Sequence, residues 1–160
     1  MERKKLKQLI KKPLSDADIS PTLPAILKRE FTGKLPAVIL YEATPYNGHW
    51  AMLHKTINDK GKPVIEFFDS YGMKPDEAIK VMNLKDQPDI ARFLLDSGKN
   101  IVYNEFPFQK VGEGINTCGR HCLVRYKLRK YSIEEYHRRM KKLAKNTGFD
   151  YDEIVSILTS

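Results

Sequence analysis

Cysteine is scarce in this 160-residue chain: only Cys118 and Cys122 are present. Two cysteines four residues apart make no disulfide framework, which argues against a stapled secreted scaffold, and a reducing compartment suits a free thiol. Long apolar runs are lacking too. The longest, Ala37 to Tyr41, falls far short of the roughly 20 residues that a membrane-spanning helix needs. The first twelve residues carry charge but no apolar stretch behind it, so no secretory signal is expected. Acidic residues are in deficit, 20 against 28 Lys and Arg, for a formal net charge of +8. No internal repeat or low-complexity tract is visible. These absences leave, as the expectation, a soluble protein of a reducing interior, a cell's or a virion's, with no membrane partner.

Hydrophobic residues make up 41% of the chain, enough for a core, and the length suits one domain over 1–160, with a basic arm at 1–12 and helices over 131–160. The positive charge is unevenly placed. Residues 1–12 hold six Lys or Arg against one acid, and residues 120–145 hold ten against two. Such ends suit a polyanion, nucleic acid first, with Lys4, Lys5, Lys7, Arg125, Arg129, Arg138, Arg139 and Lys142 as candidate phosphate contacts. No nucleic-acid-reading motif accompanies them, and a solvated basic face is the other reading of the same charges.

Along the chain, Leu6, Leu9 and Ile10 share a face of a short helix, and Pro24 to Phe31 reads as another. Strand signals follow at Pro36 to Tyr41, Trp50 to Thr56 and Val64 to Phe68, the last two joined by a turn at Asn58-Asp59-Lys60-Gly61. Helices are expected over Pro75 to Met82, with Asp76 and Glu77 in its first turn, and over Pro88 to Leu95. A strand is expected at Ile101 to Phe106 and a helix at about Thr117 to Lys130. Ser132 and Glu135 cap a basic helix that stops at Gly148, and Asp150 and Glu153 repeat the capping pattern.

The chemistry gathers at the start of the Thr117 helix. Asn116 is a suitable N-cap, which puts Cys118 in the first turn, where free N–H groups and the helix dipole favour thiolate, the nucleophilic form. Gly119 keeps the space beside the sulfur open for a substrate backbone. If the hairpin turn is centred near Asp59, cross-strand partners have numbers summing to about 118, and His49 stands opposite Asp69. That meets the need of a general-base histidine, one nitrogen on the nucleophile and the other held by a carboxylate. Trp50 is expected in the core or the cleft wall, and Cys122 as a core thiol. His54, His121 and His137 are expected at the surface or in packing. Cys118, His121, Cys122 and His137 match no common zinc spacing, so no metal is expected.

The order Gly48-His49-Trp50, Phe67-Phe68-Asp69-Ser70-Tyr71-Gly72, Gln109 and Asn116-Thr117-Cys118-Gly119 resembles the adenain-like cysteine proteases. These include the adenovirus maturation protease and, more distantly, the SUMO-deconjugating proteases; the likeness is greatest to versions from large DNA viruses, virophages and Polinton-type elements. It runs from about Leu35 to Arg125. The resemblance implies an α+β fold in which helices flank a mixed β-sheet and a central helix carries the nucleophile. It makes Cys118 the nucleophile, His49 the base, Asp69 the residue orienting His49 and Gln109 a side-chain donor to the oxyanion; Trp50 and Gly119 are the residues expected at the substrate. The implied activity is an endopeptidase that cleaves viral capsid or core precursors after Gly during virion maturation. The expectation is a monomer without cofactor, in the virion interior or at cytoplasmic assembly sites, with DNA or a non-covalently bound peptide as activator. Two other readings stay open: an isopeptidase acting on a ubiquitin-like modifier, and a non-catalytic basic DNA-packaging protein.

Overall fold

The three apolar runs do form strands, and they pair in sequence order. The computed structural model describes residues 35–44, 47–81, 90–111 and 117–159. Strand β1 (Ala37–Thr44), β2 (Asn47–Ile57) and β3 (Pro63–Phe68) are antiparallel neighbours. A crossover bearing helices α1 (Glu77–Val81) and α2 (Ile90–Asp96) then returns the chain to β4 (Ile101–Tyr103), parallel to β3. Helices α3 (Cys118–Lys127), α4 (Ile133–Thr147) and α5 (Tyr151–Leu158) complete an α+β architecture built on a four-stranded mixed sheet in the order β1-β2-β3-β4. The basic arm 1–12, the short helix expected over 24–31 and Asn116 lie outside the described residues.

Alternation along the strands divides the core. Met52 and Phe68 join Cys122, Val124, Tyr136, Met140 and Ile154 in one cluster, while Ala51, Leu53, Ile65 and Phe67 join Ala78, Ile90 and Leu94 in the other. Helices α3 to α5 thus cover one set of side chains and α1 and α2 the other. The caps of the last two helices are those the sequence carries. Ser132 accepts from the Glu135 N–H, Gly148 closes α4 at φ 76°, and Asp150 and Glu153 form a capping box on α5.

Several boundaries differ from expectation, each for a physical reason. Strand β4 stops at Tyr103 because Asn104 turns its amide onto the Asp69 backbone, accepting from Asp69 N at 3.0 Å and donating to Asp69 O at 2.6 Å. Asp76 precedes α1 instead of joining its first turn. At φ 65° it directs its carboxylate to the Ile90 and Ala91 N–H groups opening α2, and it takes a bond from the buried Tyr41 hydroxyl at 2.9 Å. Helix α3 ends at Lys127, three residues early, and the Arg125 guanidinium bonds the carbonyls of Leu128 at 3.2 Å and Tyr131 at 3.0 Å beyond it.

Arg125 is therefore no phosphate contact. It is fully buried, doubly bonded to Glu66 at 2.8 and 2.7 Å, with His54, the cross-strand partner of Glu66, on the same carboxylate at 2.8 Å. Burial pushes the Glu66 carboxyl up, but Arg125 and His54 outweigh it and hold it at about 2. The basic sequence run around Arg125 does not reveal this, because its fully buried partner lies 59 residues away.

Candidate active site

The hairpin brings His49 and Asp69 together, by a register shifted from the expected one. Paired residues in β2 and β3 sum to 120, as Met52 with Phe68 and Thr56 with Val64, because the turn is centred near Lys60. A change of two in that sum leaves every side chain on its face. Asp69 therefore comes level with Ala51 and meets His49 on the diagonal, with His49 Nε2 2.8 Å from Asp69 Oδ2. Both side chains are buried.

Asp69 is clamped on all sides. Its Oδ1 accepts from the Tyr71 N–H at 2.8 Å, and its own backbone is held at both ends by Asn104. Gly72 closes the turn with its N–H on the Asp69 carbonyl at 2.8 Å. Only glycine fits there: its φ is +76°, and an added Cβ would stand 2.7 Å from the Glu105 carbonyl oxygen.

With Nε2 occupied by Asp69, Nδ1 is the ring nitrogen left for Cys118, which lies near enough to raise the His49 pKa. Cys118 is the first residue of α3, which packs along β2. The N-cap is Thr117, whose side chain makes no cap bond, and Cys118 sits in the first turn, where the helix N-terminus is electropositive. Burial pushes the His49 pKa down, but hydrogen bonds to Asp69 and Cys118 and their negative charge raise it to about 9. His49 is thus protonated at neutral pH. Cys122, one turn on, is the opposite case: burial raises its pKa far above the ordinary thiol range.

Gln109 is buried and tied to the same loop. Ser70 donates its hydroxyl to Gln109 Oε1 at 2.6 Å, and the Ser70 carbonyl accepts from the Phe108 and Gln109 N–H groups at 2.7 and 2.9 Å. Because Oε1 is engaged, the end of the amide turned from Ser70 is its donor end, Nε2. Trp50 is half-buried, and a Cβ added to Gly119 would lie 3.8 Å from its ring, so the two flank the opening of α3 at ordinary contact distance.

Sequence reasoning missed several residues. Tyr71 covers His49, ring centroids 4.9 Å apart and 32° from parallel, and Ser70 orients Gln109; both adjoin Asp69 in the motif and could have been taken with it. Asn104 and Asp152 carry no local signal for the roles their contacts give them. His54 and His121 are buried outright, and His137 stacks on Phe106 with centroids 3.9 Å apart. His121 is engaged by Asp152 at 2.9 Å, so Cys118, His121, Cys122 and His137 do not converge. Among the described residues no three His, Cys, Asp or Glu side chains gather as a metal would require. Of the remaining basic candidates, Arg129 lies over Tyr126, Arg138 and Arg139 pair with Glu135, and Lys142 is exposed. Lys4, Lys5 and Lys7 lie outside the described residues.

The fold and site define a small α+β protein in which a buried histidine bonded to an aspartate lies beside a buried cysteine at a helix start. No family model matches the chain. It is 34% identical over 129 residues to the uncharacterized protein V9 of Sputnik virophage, an alignment covering 76% of this chain and 71% of that protein. The chain belongs to the family of that virophage protein. Among the described residues no helix is long and apolar enough to cross a membrane.

Proposed function

We propose that this chain is an adenain-like cysteine endopeptidase that processes viral capsid or core precursors. The observation that carries the reading is the grouping of Asp69, His49 and Cys118, with His49 Nε2 on the carboxylate at 2.8 Å and Cys118, at the start of α3, near enough to raise the pKa of the same ring. A structural histidine needs no thiol beside its ring, and a packaging protein needs neither. The α+β architecture, the strand, turn and helix order around the site and the virophage relative are consistent with it.

On this reading the Cys118 thiolate attacks the scissile carbonyl carbon, and the resulting oxyanion is met by the Cys118 N–H and the Gln109 side-chain amide. Collapse of that intermediate breaks the C–N bond, and His49 delivers its Nδ1 proton to the leaving amine. His49, now neutral, takes a proton from water, whose oxygen attacks the thioester and frees Cys118. Asp69 holds the ring in position throughout. Narrowing by Trp50 beside Gly119 suits a glycine before the scissile bond, and the setting is the virion interior or the assembly site in the host.

The test is mass spectrometry of a Gly-Gly-containing peptide library incubated with the protein and with Cys118→Ala, with and without duplex DNA. Cleavage after Gly by the first alone is expected. Absence of cleavage together with failure of a thiol-directed probe to label Cys118 would overturn the reading in favour of DNA packaging. Labelling without peptide cleavage would redirect it to a folded modifier as substrate, the isopeptidase reading.

A further inference from the structure

The segment that joins Gln109 to Cys118 has its two ends gathered on a single side chain, that of Asp152 in the first turn of α5. Its Oδ2 accepts from the Lys110 N–H at 3.1 Å, immediately after Gln109. Its Oδ1 accepts from the Thr117 hydroxyl at 2.5 Å, immediately before Cys118, and is 2.9 Å from His121 Nε2 on the nucleophile helix. The residues beside it serve the same segment. Asp150 takes the Lys110 ammonium at 3.1 Å, and Tyr151 packs edge-on against Phe106 and Phe108 at 5.7 and 5.5 Å.

We infer that Asp152 is a positioning residue of the site, one carboxylate that holds the Gln109 end and the Cys118 end of the connecting segment in register. The inference rests on the protease reading. Local sequence does not set the two ends against each other, since eight residues separate Gln109 from Cys118. A peptide carbonyl attacked by Cys118 must meet the Gln109 amide within hydrogen-bond reach at the same moment, and an error of 1 Å in such a pair can cost about a hundredfold in rate. The chemistry requires a carboxylate. Lys110 N–H, Thr117 O–H and His121 are all positioned to donate, and only an ionised carboxyl accepts on both oxygens. His121 and Thr117 keep it ionised against its partial burial.

Two variants separate the two ends. Asp152→Asn keeps an oxygen for Thr117 and His121 but turns an NH₂ toward the Lys110 N–H, releasing the Gln109 end. Thr117→Val weakens the other end, leaving His121 as its remaining bond, and leaves Lys110 held. The readouts are kcat and KM on a cleaved Gly-Gly peptide and the rate at which iodoacetamide alkylates Cys118. For Asp152→Asn the expected result is a fall in kcat of about tenfold or more, with KM and alkylation within about twofold of wild type. For Thr117→Val, alkylation and kcat should fall together, severalfold. Wild-type kcat in Asp152→Asn, or alkylation lost in parallel with kcat in that variant, overturns the inference, as the latter is what general loosening would produce. Should the Asn variant not fold, unchanged kcat and alkylation in Thr117→Val overturn it equally. Absence of cleavage by the wild-type protein would instead remove the protease reading on which it rests.

Discussion

At His49 three effects compete over one proton. Burial works against the charged ring, while Asp69 and Cys118 favour it, and the balance lies at about 9 against an ordinary 6.5. Because the folded value is the higher, the stabilisation is fully present below about pH 6.5 and is lost as pH rises toward 9. Its size is on the order of 3 kcal/mol. Urea unfolding between pH 6 and 10 should show the protein weakening across that window, and Asp69→Asn should flatten the dependence. If cleavage requires His49 as the acid for the leaving amine, kcat should decline with an apparent pKa near 9 in the wild type. A stability profile flat from pH 6 to 10 would show that His49 is not charged in the folded protein.

At the scale of elements, α3 presents Cys118 because its other end is fastened to the sheet. Arg125, Glu66 and His54 form that fastening away from solvent, with the guanidinium 5.0 Å from the Tyr136 ring centroid. Removing one partner of a buried pair leaves an unmatched charge, so Arg125→Met should cost about 3–5 kcal/mol in denaturant unfolding. Neutralising the orphan as well, in Arg125→Met/Glu66→Gln, should recover most of that loss. Equal stability of the single and double variants would mean that the packing of the Arg125 side chain, and not the charge left on Glu66, is what matters.

Across the whole molecule, the net charge of +8 is less available than its sum implies. Arg125 is buried, and Arg138 and Arg139 share Glu135, Arg138 reaching Asp59 as well. On α4 the exposed cations include Lys141, Lys142 and Lys145. If this face holds encapsidated DNA, duplex binding should weaken linearly with the logarithm of salt concentration. Replacing those three lysines with Ala should lower the slope by about 0.9 for each phosphate that is no longer neutralised. An unchanged slope would assign DNA binding elsewhere on the chain.

What was legible in the residues themselves was whatever short-range chemistry dictates. Alternating and continuous apolar runs marked β1 to β3, Ser132 and Asp150 marked two helix starts, and the hairpin turn carried His49 to the face of Asp69 even with its centre misplaced by one residue. Parity survives such an error because side chains repeat every two residues along a strand. Only the tertiary structure decided the rest: that Asn104 ends β4 by clasping Asp69, that Asp76 caps α2 and not its own helix, that Arg125 faces inward, and that Asp152 spans the two ends of the Gln109 to Cys118 segment. Each is a bond between residues 14 to 59 positions apart. A polar side chain advertises that it needs a partner, but which partner it meets is set by packing that no local pattern records.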